Sequence, residues 1–381
     1  MIPQGQRLEF SGELIVVEYM LHTSKKDSLS LAENICYEQT VEFPPDIVPP
    51  GDIQEKVVGK IISLEAVDAS HHRALISFAV ELTGFQFTQF LNVIFGNCSL
   101  FPGVRIAGLR LPDLFLDAFK GPRFGRSGLR EALGVYGRPL LTTAIKPQGL
   151  SSKELAAETG QFARGGIDII KDDHGLCDQP FSPFIERVNY CSEAVRRANS
   201  KTGFKTRYMP SLSGPADKVL DWAHKAKDAG AGGFLLSPGL VGWDMVRMIA
   251  EDDSLGLPIM CHPTFLGSFV TSPDNGISHS VIFGTLARLA GADLTVFPNY
   301  GGRFSFTREE CRAIAHATEE PFGQHTAIFP APGGGMTIER IPEIIKFYDG
   351  EVALLVGGGL HWGNTTLEKK CLALRSSLEN R

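Results

Sequence analysis

The chain has 381 residues, a formal net charge of −6, and 43% hydrophobic against 21% charged residues. Those proportions fit a globular protein with one large α/β domain plus a smaller one, carry no basic block that would suit nucleic acid, and include no apolar window long enough to span a membrane. The opening MIPQGQRLEF lacks the basic-then-apolar pattern of a signal peptide, and the 7 cysteines are scattered without a CxxC pair, so a cytoplasmic protein with reduced thiols is expected.

In chain order, LIVVEYML (14–21), KVVGKIISLEAVD (56–68), HRALISFAVEL (72–82) and VRIAGLRLP (104–112) read as strands, with LSLAENICYEQ (29–39) as a helix. They predict an N-terminal α+β domain of ferredoxin-like type over residues 1–135. His71 and His72 project to opposite faces of one strand, which suits a surface better than a metal site. The segment FKGPRFGRSGLREALGVYGRP (119–139) reads as the linker.

From Thr142 onward the pattern changes. Eight short apolar runs recur: TTAIKP (142–147), IDIIKDDH (167–174), TRYMPSLSG (206–214), GGFLLSPG (232–239), LPIMCHPTF (257–265), DLTVFPNY (293–300), TAIFPAPGGG (326–335) and VALLVGGGL (352–360). Their starts lie 25 to 39 residues apart, room for one strand, one helix and two loops, as in parallel strands with helical crossovers. Eight such units predict a (β/α)8 barrel over residues 136–381. One crossover can be read closely: Ser151 and Glu154 form a capping-box pattern, Leu155, Ala156, Phe162 and Ala163 supply an apolar stripe, and Gly165 and Gly166 stop the helix.

In such a barrel the chemistry sits just past the carboxyl ends of the strands. Lys146 ends the first. In IDIIKDDH the side chains alternate, placing Lys171 and Asp173 on one face with Asp168 and Asp172 on the other, and His174 just beyond. A charge run is usually a solvated ion-pair cluster, but a barrel strand is covered on both faces and opens on the site. A lysine crowded by low-dielectric surroundings loses its proton more easily, and its free amine reacts with CO2 to give an anionic carbamate. Carbamate and aspartate together suit Mg2+ with positions left open for substrate oxygens. The triple glycines of PGGGM (332–336) and VGGGLHWGN (356–364) end strands seven and eight, where barrels bind phosphate through backbone N–H groups. Gly334, Gly335, Gly358 and Gly359 are the candidates.

GRPLLTTAIKPQGLS (137–151) and GGIDIIKDDHGLCDQPFSPFIERV (165–188) resemble the large subunit of RuBisCO, and the departures resemble the RuBisCO-like (form IV) proteins. The resemblance runs in order through nearly the whole chain, from GPRFG near residue 123 to the two triple glycines. It implies one Mg2+ per site, a carbamate formed from CO2 on Lys171, Asp173 as metal ligand, and His174 where the family usually has a glutamate ligand. Lys146 resembles the lysine that moves protons at the substrate carbon, while its second lysine partner is replaced by Gln148 beside a one-residue deletion. His262 matches a site histidine, but Pro263 stands where a phosphate-gripping arginine is expected and Val296 where a histidine is. The mobile loop is shortened to NYGGRFSF (299–306), with Arg303 its only cation. Glu38 resembles a glutamate reaching into a neighbouring subunit's site, and Asn92 matches only with a one-residue shift.

The resemblance therefore implies a homodimeric enolase or isomerase acting on a phosphorylated ketose of methylthioribulose 1-phosphate type in methionine salvage, and no CO2-fixing carboxylase. Lys146, Lys171, His262 and Arg303 are its candidate catalytic groups. The competing expectations are a decarboxylase of a phosphorylated 3-oxo sugar acid (3-oxo-isoapionate 4-phosphate type), with Arg303 on a carboxylate, and a non-catalytic binding protein that keeps the fold.

Overall fold

The structure is a computed structural model describing residues 7–304, 306–361 and 364–379. Its strands, in chain order, are β1 (Leu14–His22), β2 (Lys60–Ala66), β3 (His71–Ala79), β4 (Val104–Arg110), β5 (Leu140–Ile145), β6 (Ile169–Asp172), β7 (Arg207–Met209), β8 (Phe234–Leu236), β9 (Ile259–Cys261), β10 (Gly276–Ile277), β11 (Leu294–Pro298), β12 (Phe329–Gly333) and β13 (Ala353–Leu355). Contacts divide the chain into two compact units, Met1–Phe119 with Leu266–Thr285 and Phe322–Gln324, and Lys120–Phe265 with Leu286–Pro321 and His325–Arg381. The sequence expectation put the division at residue 135. Residues 120–135 group instead with the second unit, and 266–285 return to the first.

The first unit is a five-stranded sheet in the order β10-β4-β1-β3-β2. With helices Lys25–Glu38 and Phe87–Phe95 between strands, β1 to β4 follow the βαββαβ order of a ferredoxin-like fold. Strand β1 alternates strictly: Ile15, Val17, Tyr19 and Leu21 are fully buried and the residues between them are not. That is the pattern of an antiparallel strand with one covered face. Tyr19 is tolerated there because its hydroxyl donates to Ile94 O at 2.5 Å.

The second unit is the barrel. Its parallel strands lie in two ladders, β13-β5-β6-β7 and β12-β11-β9-β8. Leu235 N donating to Pro210 O and Leu212 N to Leu235 O, both at 2.9 Å, join β7 to β8, and β12 meets β13 where Leu355 packs on Gly333. The interior is filled by side chains from every strand: Leu140, Ile169, Met209, Leu235, Met260, Leu294, Phe329 and Ala353. Several of these open their strands, so the cluster lies toward the amino end, where Leu129 and Leu133 join it. They belong to the helix Gly125–Leu133, inside the segment read from sequence as a linker. Asp293 explains the difference, because its buried carboxylate accepts Phe124 N and Gly125 N at 2.7 Å and Ile259 N at 2.9 Å, fixing the helix start to the strands.

Strand β6 is held by two buried ion pairs on its outward face. Asp168 receives Arg138 at 2.7 and 2.9 Å, and Asp172 receives Arg187 Nε at 3.1 Å, Tyr208 Oη at 2.5 Å and Ser211 N at 3.0 Å. Removing one partner of such a pair leaves an uncompensated buried charge. Arg187→Ala is expected to cost about 3 to 5 kcal/mol in urea unfolding, and a loss below about 1 kcal/mol would show that Tyr208 and Ser211 suffice for Asp172.

Candidate active site

Asp168 and Asp172 face outward into their arginines, so alternation turns Lys171 inward at the carboxyl end of the barrel. Its side chain is buried, 2% exposed, and Nζ donates to Asp172 O at 3.0 Å. Burial lowers the amine to about 8; the neighbouring charge of Lys146 acts in the same sense, against the raising pull of Asp173 and Asp172. About a tenth of the amine is therefore free at pH 7, far more than for an ordinary lysine.

Asp173 follows immediately. Burial alone would raise its carboxyl, but the Gly175 N–H at 3.0 Å and the charges of Lys171, His174 and Lys146 carry it below the ordinary value. Lys146 Nζ lies 3.4 Å from Asp173 Oδ2 and His174 Nδ1 lies 3.5 Å from Oδ1. His262, arriving from β9, stacks on His174 with ring centroids 4.4 Å apart and planes 14° from parallel. Burial lowers both imidazoles, and Lys171 and Lys146 push the same way, so both rings are neutral at pH 7. His262 Nδ1 shares a 2.7 Å hydrogen bond with Thr264 Oγ1. Lys146, Lys171, Asp173, His174 and His262 thus come together from three strands.

The glycine segments also meet. Gly334 and Gly335 have φ of 80° and 109°, accessible to glycine without strain, and a Cβ at Gly359 would lie 2.9 Å from Met336 O. Nearby, a Cβ at Gly357 would lie 3.6 Å from Lys146 Nζ, so the eighth-strand loop runs beside that amine. The exposed Arg303 donates its backbone N–H to Gly334 O at 3.2 Å, lays its guanidinium over Phe304, and lies close enough for its charge to act on His174. Gln148, in the place of the family's second lysine, donates instead to Gly175 O at 3.1 Å and braces the loop after Asp173. Val296 is 4% exposed and belongs to the barrel core, so that position is apolar. Glu38 and Asn92 lie in the first unit, where Glu38 accepts from Asn97 Nδ2 at 2.9 Å and Gln39 links the end of the same helix to Asn92 O at 2.8 Å.

Sequence reasoning missed Glu158. Its Oε2 accepts the Lys146 N–H at 2.9 Å and its Oε1 faces His361 Nε2 at 3.3 Å. The signal was available, since Glu158 falls three residues after Leu155 and four before Phe162 on the buried stripe of its helix.

A ferredoxin-like unit joined to a (β/α)8 barrel whose mouth gathers two lysines, an aspartate and two histidines defines the class. Residues 125–380 match the family model of the ribulose bisphosphate carboxylase large chain, catalytic domain. A 5-methylthioribulose-1-phosphate isomerase from Rhodospirillum rubrum is 36% identical over 91% of this chain and 91% of its own. A 2,3-diketo-5-methylthiopentyl-1-phosphate enolase from Geobacillus thermodenitrificans is 32% identical over 91% of this chain and 87% of its own. The crystal structure of a Rubisco-like protein from Rhodopseudomonas palustris superimposes with a TM-score of 0.88 at 34% identity, covering 97% of this chain and 99% of that one. The chain belongs to the RuBisCO large-chain family, and within it to the form IV RuBisCO-like proteins.

Glu158 gives the site a pH signature. Burial pushes its carboxyl up to about 7, against the lowering effect of the Lys146 N–H and ammonium. The folded chain therefore keeps a proton that the unfolded chain releases near 4.5, and this group's contribution to stability falls as pH rises from about 4.5 to about 7, by roughly 3 kcal/mol. Urea unfolding of Glu158→Gln at pH 5 and pH 8 is expected to lack that fall; identical pH slopes in both proteins would remove Glu158 as its source.

Proposed function

We propose that this protein is a Mg2+-dependent enolase or isomerase of the methionine-salvage type, which moves a proton next to the carbonyl of a phosphorylated ketose such as 5-methylthioribulose 1-phosphate and fixes no CO2. The observation that carries the reading is a buried Lys171 amine, lowered to about 8, beside an ionised Asp173. The names of the two enzymes similar to the chain support the substrate class.

The donor set fits the cation. The free Lys171 amine attacks CO2, an N–C bond forms and a proton leaves, giving a carbamate oxygen next to the Asp173 carboxylate and the neutral His174 ring. When bound there, Mg2+ would polarise the substrate carbonyl as a Lewis acid. Lys146, bridged to Asp173 and held by Glu158 through its backbone, is placed to exchange the proton at the adjacent carbon, with the Lys171 carbamate as the other candidate base. The neutral His262 can return a proton only after first accepting the one abstracted, and Arg303 supplies a cation for an anionic group. The backbone N–H groups around Gly334, Gly335, Gly358 and Gly359 would take the phosphate. Pro263 and Val296, in place of phosphate-binding residues, suit an apolar methylthio end. The functional form is a homodimer in the cytoplasm, with Glu38 and Asn92 reaching a neighbouring subunit's site. Among the described residues no helix is long and apolar enough to cross a membrane.

Incubation with 5-methylthioribulose 1-phosphate, Mg2+ and bicarbonate in D2O is expected to place deuterium in substrate or product, read by mass spectrometry. Lys171→Ala and Lys146→Ala should each lower exchange by about 100-fold or more. Absence of exchange, with CO2 released from a phosphorylated 3-oxo sugar acid, would establish a decarboxylase instead. Full exchange by Lys171→Ala would sink the carbamate.

A further inference from the structure

We propose that His22, His71 and Asp274, in the first unit, form a binding site for a divalent transition metal of the Zn2+ class, separate from the barrel mouth and independent of the reaction proposed above. Hydrogen-bonding register makes His22 and His71 direct partners across β1 and β3, so both rings rise from one face of the sheet, stacked 4.7 Å apart at 13°. Asp274 reaches them from the segment Leu266–Thr285. Its Oδ2 lies 3.2 Å from His22 Nδ1 and its Oδ1 lies 3.3 Å from His71 Nε2, and all the ligand atoms fall within 4.8 Å of one another. Ligands on a tetrahedral Zn2+ at ordinary bond lengths sit about 3.3 Å apart, so donors now within 4.8 Å of one another would close in and the stacked rings would tilt toward a common point to admit the ion.

Two further features separate this cluster from a casual surface ion pair. Asp68 Oδ2 lies 2.9 Å from His71 Nδ1, and Asp68 is itself fixed by Ser70 N at 2.8 Å and His71 N at 2.9 Å. A carboxylate holding one imidazole nitrogen keeps the proton there and turns the other nitrogen's lone pair outward, the arrangement that orients histidine on zinc. The Asp274 segment is also held in advance. Arg105 donates to Ser272 O and to Asn275 O, Asn275 bonds Gly103 N at 3.2 Å and Phe101 O at 3.0 Å, and β10 pairs with β4 directly after it. A carboxylate on a braced segment therefore faces a histidine pair of which one ring is oriented by Asp68, and partial exposure of all three leaves the remaining coordination position to water. Two carboxylates against two imidazoles favour a cation at this point. The bound ion would pin the 266–285 segment to the sheet.

The full-length protein, stripped with EDTA and returned to excess Mg2+ to occupy the barrel mouth, would be titrated with Zn2+ by calorimetry. His22→Ala, His71→Ala and Asp274→Asn are each expected to bind about one zinc fewer per chain than the wild type. Asp68→Asn should weaken the site about tenfold. Zn2+ should raise the unfolding temperature of the wild type more than that of the three ligand variants. Crystals of the wild type soaked in Zn2+ should give an anomalous peak at the zinc edge between these side chains, a readout that needs no variant to fold. Equal stoichiometry in all proteins, or a soaked crystal with no peak at this point, would overturn the site and leave an ion-pair cluster only.

Discussion

The placement of Lys171 and Asp173 at the barrel mouth depends on one buried ion pair, Asp172 with Arg187. Both side chains are fully buried, and the guanidinium also donates to Ser182 O and Cys177 O at 2.7 Å. The same group thus holds the end of β6 and the loop that follows it. Desolvating two charges is expensive, and the cost is tolerable only because Asp172 also accepts Tyr208 Oη and Ser211 N. The gain is position. With Asp172 anchored outward, strand alternation leaves Lys171 no direction but inward, and Asp173 starts a loop whose far side is tied to the same arginine. Asp168 with Arg138 does the equivalent work at the other end of the strand.

The barrel was legible because its signals are local. Each strand is a short apolar run closed by Gly, Pro or a charge, and the Ser151–Glu154 capping box forms as its letters suggest, with the Ser151 side chain accepting from Glu154 N and the Glu154 carboxylate returning to Ser151 N. The inward face of Lys171 followed from a period of two. The ferredoxin-like unit was legible for the same reason, since β1 alternates without a break.

What stayed hidden depends on partners far away in the chain. The helix Gly125–Leu133 carries three basic or acidic residues and two glycines among nine, so its sequence looks like a connector; its start is fixed by distant partners, Asp293, 168 residues on from Gly125, and Ala327 O, which accepts the Arg126 N–H at 2.8 Å. The stacking of His174 on His262 needs β6 and β9 to be brought to one mouth, and no spacing encodes that. His71 read as a surface residue because its neighbour His72 points the other way. Its true companions, His22 across the ladder and Asp274 some 203 residues on, belong to register and topology.

The electrostatics of the mouth argue for use over relic. Lowering an amine from 10.5 to about 8 corresponds to about 3 kcal/mol of lost preference for its charged form. A chain that needed only the fold would lose nothing by placing an apolar residue there, as it does at Val296. The balance of charge points the same way. Lys146, Lys171 and Arg303 act on a region where Asp173 is ionised and Glu158, held up near 7, is only partly so. On the proposed reading that excess of positive charge would be relieved in two ways: carbamylation would convert Lys171 from a cation to an anion, and the phosphate of a substrate would supply the remaining negative charge. A buried amine of which about a tenth is free at pH 7 and an unbalanced cationic rim are two consequences of one arrangement, which suits completion by a small anion.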